Sequence, residues 1–411
     1  MLRIFQGRLS SKFNPGDAWR RLVAWPHFWA LIILVACFGA HLYLIYRPDT
    51  IVLDEWYYVR EAQGFLAGAG LVTPEHPPLG KFIIWIGIQL FGDNPFGWRF
   101  LAILFGIAAV FFFYLICRHF KLSTLTSSAA TFLVAFDNLF FVQSQFAMLD
   151  VYCLGLMMAA FWVYLKRYYQ LAIALIALAT LAKAIALLGL GVILIHWLIM
   201  RRDRLLTIAA SILVAYLAVI LLMPTLEWIM THQWMNPLDR LNLLIGRSGG
   251  VNFKDATHPS AVHPWEWVFK YSVMPFSNTP QYFSALNPTL WIMIVPVFVY
   301  YFIRTWQSRN DAAVFGLSWY LMTLVVWIIY GFVSNRITYV YYLYPFIGAI
   351  ALGVGLIMEE LVVWGRANGK LKNVYWGIAI FLMAHAVFFL LLSPFTGVWP
   401  YPKGRVYPTK T

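Results

Sequence analysis

Asp54 and Glu55 form an acidic pair a few residues after the first long apolar run of this 411-residue chain. A carboxylate held at a membrane face and partly stripped of water suits a general base acting on a hydroxyl nucleophile. By itself the dipeptide reads better as a solvated loop pair. His76-Pro77-Pro78-Leu79-Gly80-Lys81 is more informative, because two prolines fix the backbone between a histidine and a lysine. Such a turn can hold His76 and Lys81 toward an anionic ligand. The alternative is a proline turn that delivers an interfacial helix, with Lys81 reaching the headgroups.

Arg99, Asp150 and Lys183 stand near the ends of apolar runs. An unpaired charge at that depth is costly, so each is a functional candidate. Each also has a plain reading: Arg99 and Lys183 can snorkel, and Asp150 suits the positive end of a helix dipole. Arg336 precedes Tyr339, Tyr341, Tyr342 and Tyr344, and an arginine beside hydroxyls such as that of Tyr342 fits a phosphate held by charge-assisted hydrogen bonds. An aromatic belt explains the tyrosines equally, and the same alternative applies to Trp265 in His263-Pro264-Trp265-Glu266-Trp267. Gly246-Arg247-Ser248-Gly249-Gly250 lacks the Lys-Ser/Thr ending of a phosphate loop and reads as a flexible stretch. Cys37, Cys117 and Cys153 lie in or beside apolar runs with no metal or disulfide spacing, so they read as packing residues. Leu34-Val35-Ala36-Cys37 looks like a lipoprotein cleavage box, but the apolar run continues past it to Tyr46.

What must position these residues is a set of membrane helices. The chain is 62% hydrophobic and 11% charged, with a mean hydropathy of +0.71, which excludes disorder and argues against a soluble enzyme. Eleven apolar segments are predicted as spans: 28–46, 96–117, 122–142, 148–165, 168–182, 185–200, 205–223, 288–303, 313–333, 339–358 and 374–392. Residues 168–200 as one helix would run about 50 Å, so a hairpin turning near Lys183 is expected instead. With the N-terminus cytoplasmic and the C-terminus outside, more than half of the 30 Lys and Arg residues fall on the cytoplasmic side. Most of the acidic residues then lie outside, in and around two long loops, 47–95 and 224–287. The net charge of +13 is spread over short links between apolar runs rather than one basic face, so topology explains it better than nucleic acid. The stretch 82–91 is too short to span and is expected to be interfacial or re-entrant.

In this order, Leu53-Asp54-Glu55, His76-Pro77-Pro78-Leu79-Gly80-Lys81, Gly97-Trp98-Arg99, Met148-Leu149-Asp150, Lys183, His263-Pro264-Trp265-Glu266-Trp267 and Asn335-Arg336 resemble the protein O-mannosyltransferase family. The resemblance covers most of the chain and implies an all-α polytopic GT-C fold, a single transmembrane domain over residues 1–411. It implies transfer of a sugar, mannose first, from a polyprenyl-phosphate donor to a Ser or Thr hydroxyl of a protein at the non-cytoplasmic face of a prokaryotic cell membrane. Asp54 would be the base and Glu55 would orient acceptor or sugar. Arg99, Lys183, Arg336 and Tyr342 would meet the donor phosphate; His76, Lys81, Asp150, His263 and Trp265 are further substrate-site candidates. No metal or other cofactor is implied, since the pair is Asp-Glu rather than an Asp-x-Asp.

Eukaryotic proteins of this kind insert a β-trefoil domain in the second long loop, which 224–287 is too short to hold. That leaves the acceptor open: related GT-C enzymes act on lipids or glycans with pentose or aminosugar donors. A transporter is the reading from a different class, but its site would lie at the bilayer midplane, whereas these ionisable residues gather on one side.

Overall fold

A computed structural model describes residues 25–66, 71–247, 253 and 258–396 of the chain. Both predicted terminal placements, and Ser248-Gly249-Gly250 of the glycine cluster, lie outside the described residues. Within them the chain is mostly helical, and each of the eleven apolar segments falls on helix. Five helices are long and apolar enough to cross a membrane by themselves: Pro95–His119, Leu205–Thr231, Asp311–Ser334, Val340–Ala367 and Leu371–Leu392. A sixth span arises if Thr124–Ala135 and Asn138–Gln145, bent by 59°, count as one. Phe28–Leu44, Leu149–Leu165, Tyr169–Ala182 and Ala184–Met200 are apolar but shorter. The chain is an integral membrane protein.

Helices this apolar must be surrounded by lipid or by protein, and two of them form the core. Leu149–Leu165 is buried along almost its whole length and packs on Pro95–His119 and Tyr169–Ala182. Ile347–Ala367 fills the other half, against Thr124–Ala135 and Asp311–Tyr320. Leu205–Thr231 and Leu371–Leu392 lie at the periphery, with Leu213, Val214, Leu217, Trp376 and Ile380 exposed, as lipid-facing helices require.

Local chemistry sets the breaks. Asn94 caps Pro95–His119 by accepting from the amides of Phe96 and Gly97, with Pro95 at the first helical position. The short helix Leu79–Phe91 folds back on it so closely that a Cβ on Gly87 would lie 2.3 Å from the Gly97 carbonyl oxygen. That 13-residue helix is too short to span, as expected for the stretch 82–91. Asp137 breaks the bent pair: its carboxylate caps Asn138–Gln145 and accepts from the Asn287 amide at 2.7 Å. The expected turn at Lys183 is present, since Tyr169 at the start of the hairpin donates to Asp203 just beyond its end, at 2.9 Å.

The all-helical expectation needs one correction. Met274–Asn278 and Gln281–Ser284 pair antiparallel, with Met274 opposite Ser284 and an irregularity between Pro275 and Ser277. The aromatic residues Phe276, Tyr282 and Phe283 favour strand here, and all three are buried. The hairpin leans on the site, because the Tyr282 hydroxyl donates to the Arg47 carbonyl at 2.5 Å and Phe276 meets the Tyr341 ring edge-on.

Candidate active site

The two adjacent carboxylates have opposite environments. Leu53 adopts a left-handed conformation, φ 44°, which turns the backbone just before the pair. Glu55 begins the helix Glu55–Leu66 and is fully buried. It accepts from the amides of Val52 at 3.1 Å and Ala147 at 3.0 Å, and forms a two-pronged pair with Arg99 at 2.9 and 2.8 Å. The remaining N–H groups of Arg99 go to the carbonyls of Ile45, Pro48 and Thr50 at 2.9, 2.5 and 2.7 Å. Every donor of that guanidinium is engaged, and the side chain has no exposed surface. Arg99, expected at the donor phosphate, and Glu55, expected at the acceptor or sugar, spend these bonds on each other and on the loop that presents Asp54.

Asp54 is half-buried, and among the described residues its carboxylate accepts one long hydrogen bond, 3.4 Å at Oδ2, from the Tyr341 hydroxyl. Burial pushes its carboxyl above the usual range; Lys183 pulls it back and Asp150 pushes it further up. Lys183 pairs with Asp150 at 2.7 Å, and both side chains retain a little exposure. Arg336 is half-buried and interacts electrostatically with Tyr342 and Tyr330. Tyr342 interacts electrostatically with Lys183, Arg336 and Asp54, and its ring meets Tyr341 and Tyr339 edge-on. Asp54, Asp150, Lys183, Arg336 and Tyr342, spread over almost three hundred residues of sequence, thus converge in one polar cluster, the chamber wall of the reading below.

His76 joins it from the proline turn, its Nε2 3.4 Å from the Tyr58 hydroxyl. Burial, with the charges of Lys183, Lys81 and Arg336, pushes the imidazole down to about 2, so His76 is neutral at physiological pH. Lys81 does not join it. Its ammonium is buried and spent on Glu61 at 2.9 Å, the Thr73 carbonyl at 3.0 Å and the Thr73 hydroxyl at 3.4 Å. Lys81, expected as a substrate-site candidate, here braces the turn from below.

His263 stacks on Trp265 with ring centroids 4.3 Å apart, and Trp265 stacks on Phe332 at 4.2 Å. The segment is stitched to the approach of the tyrosine run, since Val262 exchanges hydrogen bonds with Thr338. The pair therefore stands on the rim formed by residues 261–265 and 332–339.

Tyr58, Tyr341, Glu61, Glu227 and Arg240 belong to this framework and were not assigned from sequence. Tyr58 was detectable, four residues after Asp54 and so on the same side of the first helical turn. Glu227 was detectable as a carboxylate on an otherwise apolar helix. Arg240, in a polar helix, gave no local signal.

The fold has known counterparts. The structure aligns over 92% of this chain with 90% of a chain from the S. cerevisiae protein O-mannosyltransferase Pmt1-Pmt2 complex bound to the sugar donor, at TM-score 0.74 and 11% identity. The fold is therefore GT-C-like. Residues 75–228 match the family model described as dolichyl-phosphate-mannose-protein mannosyltransferase. A Corynebacterium glutamicum polyprenol-phosphate-mannose–protein mannosyltransferase is 30% identical over 184 residues, 41% of this chain and 34% of that protein. A Pseudomonas paraeruginosa undecaprenyl phosphate-alpha-4-amino-4-deoxy-L-arabinose arabinosyl transferase is 29% identical over 146 residues, 33% of this chain and 26% of that protein. The match spans about a third of the length of these curated relatives or less. The chain is related to the protein O-mannosyltransferase family.

Proposed function

We propose that the chain is an inverting glycosyltransferase that moves a sugar, mannose first, from a polyprenyl-phosphate donor to a Ser or Thr hydroxyl of a protein. The observation that carries this reading is Asp54: a half-buried carboxylate with one long hydrogen bond, facing Lys183 and the Arg336–Tyr342 pair. Asp54 takes the proton of the acceptor hydroxyl as its oxygen bonds to the anomeric carbon. The bond from that carbon to the phosphate oxygen breaks, and the electron pair leaves with the polyprenyl phosphate. Lys183 and Arg336, with the Tyr342 hydroxyl, meet the negative charge that develops there. Attack opposite the leaving group inverts the anomeric centre. Neutral His76 offers a hydrogen-bonding group to a sugar or acceptor hydroxyl, and Asp150 holds Lys183 in place. His263 and Trp265 line the rim that an acceptor crosses. These steps use side chains alone, without a metal or other cofactor.

We read the eleven apolar segments as eleven spans of one GT-C domain over residues 1–411, with the N-terminus cytoplasmic and the C-terminus outside. Loops 47–95 and 224–287, and the chamber with them, then face the non-cytoplasmic side of a prokaryotic cell membrane.

The test is transfer by the purified protein from radiolabelled polyprenyl-phosphate mannose to a Ser/Thr-rich peptide, with Asp54→Asn alongside. Labelled peptide with the wild type and none with the variant supports both reaction and base. The likeness to an arabinosyl transferase favours one second reading, a lipid or glycan acceptor with a different sugar. It predicts donor consumption only when envelope lipid or glycan replaces the peptide. No consumption with any acceptor sinks both.

A further inference from the structure

The turn that carries His76 cannot secure itself. Pro77 and Pro78 lack N–H groups, so successive positions have no donor to give. Among the described residues, one backbone hydrogen bond closes the turn, from the His76 amide to the Thr73 carbonyl, 3.1 Å. Buried carbonyls must find donors elsewhere. Lys81, inside the motif, supplies the Thr73 carbonyl; those of Pro74 and His76 are met from far along the chain.

Arg240, on the helix Pro237–Arg247 of the second long loop, donates to the Pro74 carbonyl at 2.9 Å and the His76 carbonyl at 3.2 Å. Its Nε lies 2.8 Å from both carboxylate oxygens of Glu227, near the end of Leu205–Thr231, and the residue is fully buried. An isolated buried ion pair is weak evidence for stability, because apolar residues of similar volume often serve as well. Here the guanidinium does what an apolar residue cannot. Its planar fork grips a carboxylate on one side and two carbonyls on the other.

We propose that Arg240 is a positioning residue for the transfer reaction, fixing the His76 turn at the chamber and tying the second long loop to it. The proposal rests on the transferase reading, with His76 as a substrate-binding group. Arg240 itself touches no reacting atom. Its action runs through the Pro74 and His76 carbonyls to the imidazole beside Tyr58.

The experiment uses the full chain in lipid nanodiscs with Arg240→Lys, which keeps the charge for Glu227 but loses the fork, and Arg240→Ala. The first readout needs no turnover: the rate at which diethyl pyrocarbonate modifies His76, followed by peptide mass. The expected result is slow modification in the wild type and severalfold faster modification in Arg240→Lys, with the melting temperature nearly kept. The second is a double-mutant cycle in transfer. Arg240→Lys lowers kcat by about 10- to 100-fold, the scale of a small misplacement, and adds no further loss in a His76→Ala background. Unchanged His76 reactivity in Arg240→Lys, or losses that multiply in the cycle, overturns the proposal. If Arg240→Ala fails to fold, Arg240→Lys decides alone. If the wild type transfers no sugar, the function is wrong, and the modification rate still decides whether Arg240 holds the turn.

Discussion

The end of the bundle that carries Asp54 holds two kinds of charge, and they differ in how completely they are partnered. Arg99 with Glu55, Lys81 with Glu61, and Arg240 with Glu227 have almost no exposed side-chain surface and spend their donors within the protein. Asp54 has one long hydrogen bond, and Lys183 pairs with Asp150 while keeping 15% of its side chain exposed. A partnered buried charge is a strut, since its hydrogen-bonding capacity is used. A charge that is desolvated but incompletely partnered is poised to act, because its interactions strengthen when a substrate supplies the missing group. Membrane depth alone therefore does not mark a residue as catalytic.

The sharpest way to break this comparison is to neutralise the poised carboxylate. Asp54→Asn should lower the transfer rate by about 10²- to 10⁴-fold, the span for loss of a general base. Its thermal stability should be kept or raised, because a buried charge is removed. A variant that melts early instead would make Asp54 another strut.

The struts should behave in the opposite way. Arg99→Ala leaves Glu55 buried and charged without its partner, and breaking such a pair costs about 3–5 kcal/mol. That loss should appear in the melting temperature or the denaturation midpoint, while the folded fraction binds donor as well as before. Arg99→Met combined with Glu55→Leu should recover much of the stability. Donor affinity that falls in Arg99→Ala at temperatures where the protein is fully folded would return Arg99 to the phosphate site.

Lys183→Met tests the chamber's cation with a smaller effect. Loss of a charge-assisted hydrogen bond worth about 1.5–3 kcal/mol predicts donor binding weaker by about 10- to 100-fold. Titration with the polyprenyl-phosphate sugar, at a temperature where the variant is fully folded, checks it. Arg336→Met should act in the same direction.

Most of the fold was legible in the sequence, because apolar length and periodicity report directly on helices that must be surrounded by lipid or protein. The Lys183 turn followed from length, and the brevity of Leu79–Phe91 from composition. The hairpin at 274–284 was not legible: its signal lies in a few aromatic residues of a long polar loop. Within the site, the residue types were visible but their division of labour was not. Asp54 and Glu55 are neighbours in sequence, and nothing local tells which one meets Arg99. Partnering is a long-range property: Glu55 meets Arg99 and Ala147, and Arg240 meets Pro74 and His76. Spacing within a motif could not show these contacts.

The smallest effect is a shift in pH dependence. Burial, the largest influence, holds the Asp54 carboxyl above its ordinary range, and Lys183 partly offsets it. A base must be deprotonated, so transfer should fall as pH drops through this raised value, with an acid limb above the usual aspartate value of about 3.9. The stability contribution of Asp54 runs the other way. With its folded pKa raised, the favourable term is fully present below the unfolded value and is lost as pH rises through the folded one. Activity and this contribution should therefore change in opposite directions across one pH window. His76 is already neutral there, so His76→Ala should lower the rate and leave the limb where it is. Lys183→Met removes the charge that favours the Asp54 anion, and should move the limb further up. A limb that stays put in Lys183→Met, measured as kcat against pH at saturating donor, would mean that the group titrating is not the carboxylate facing this lysine.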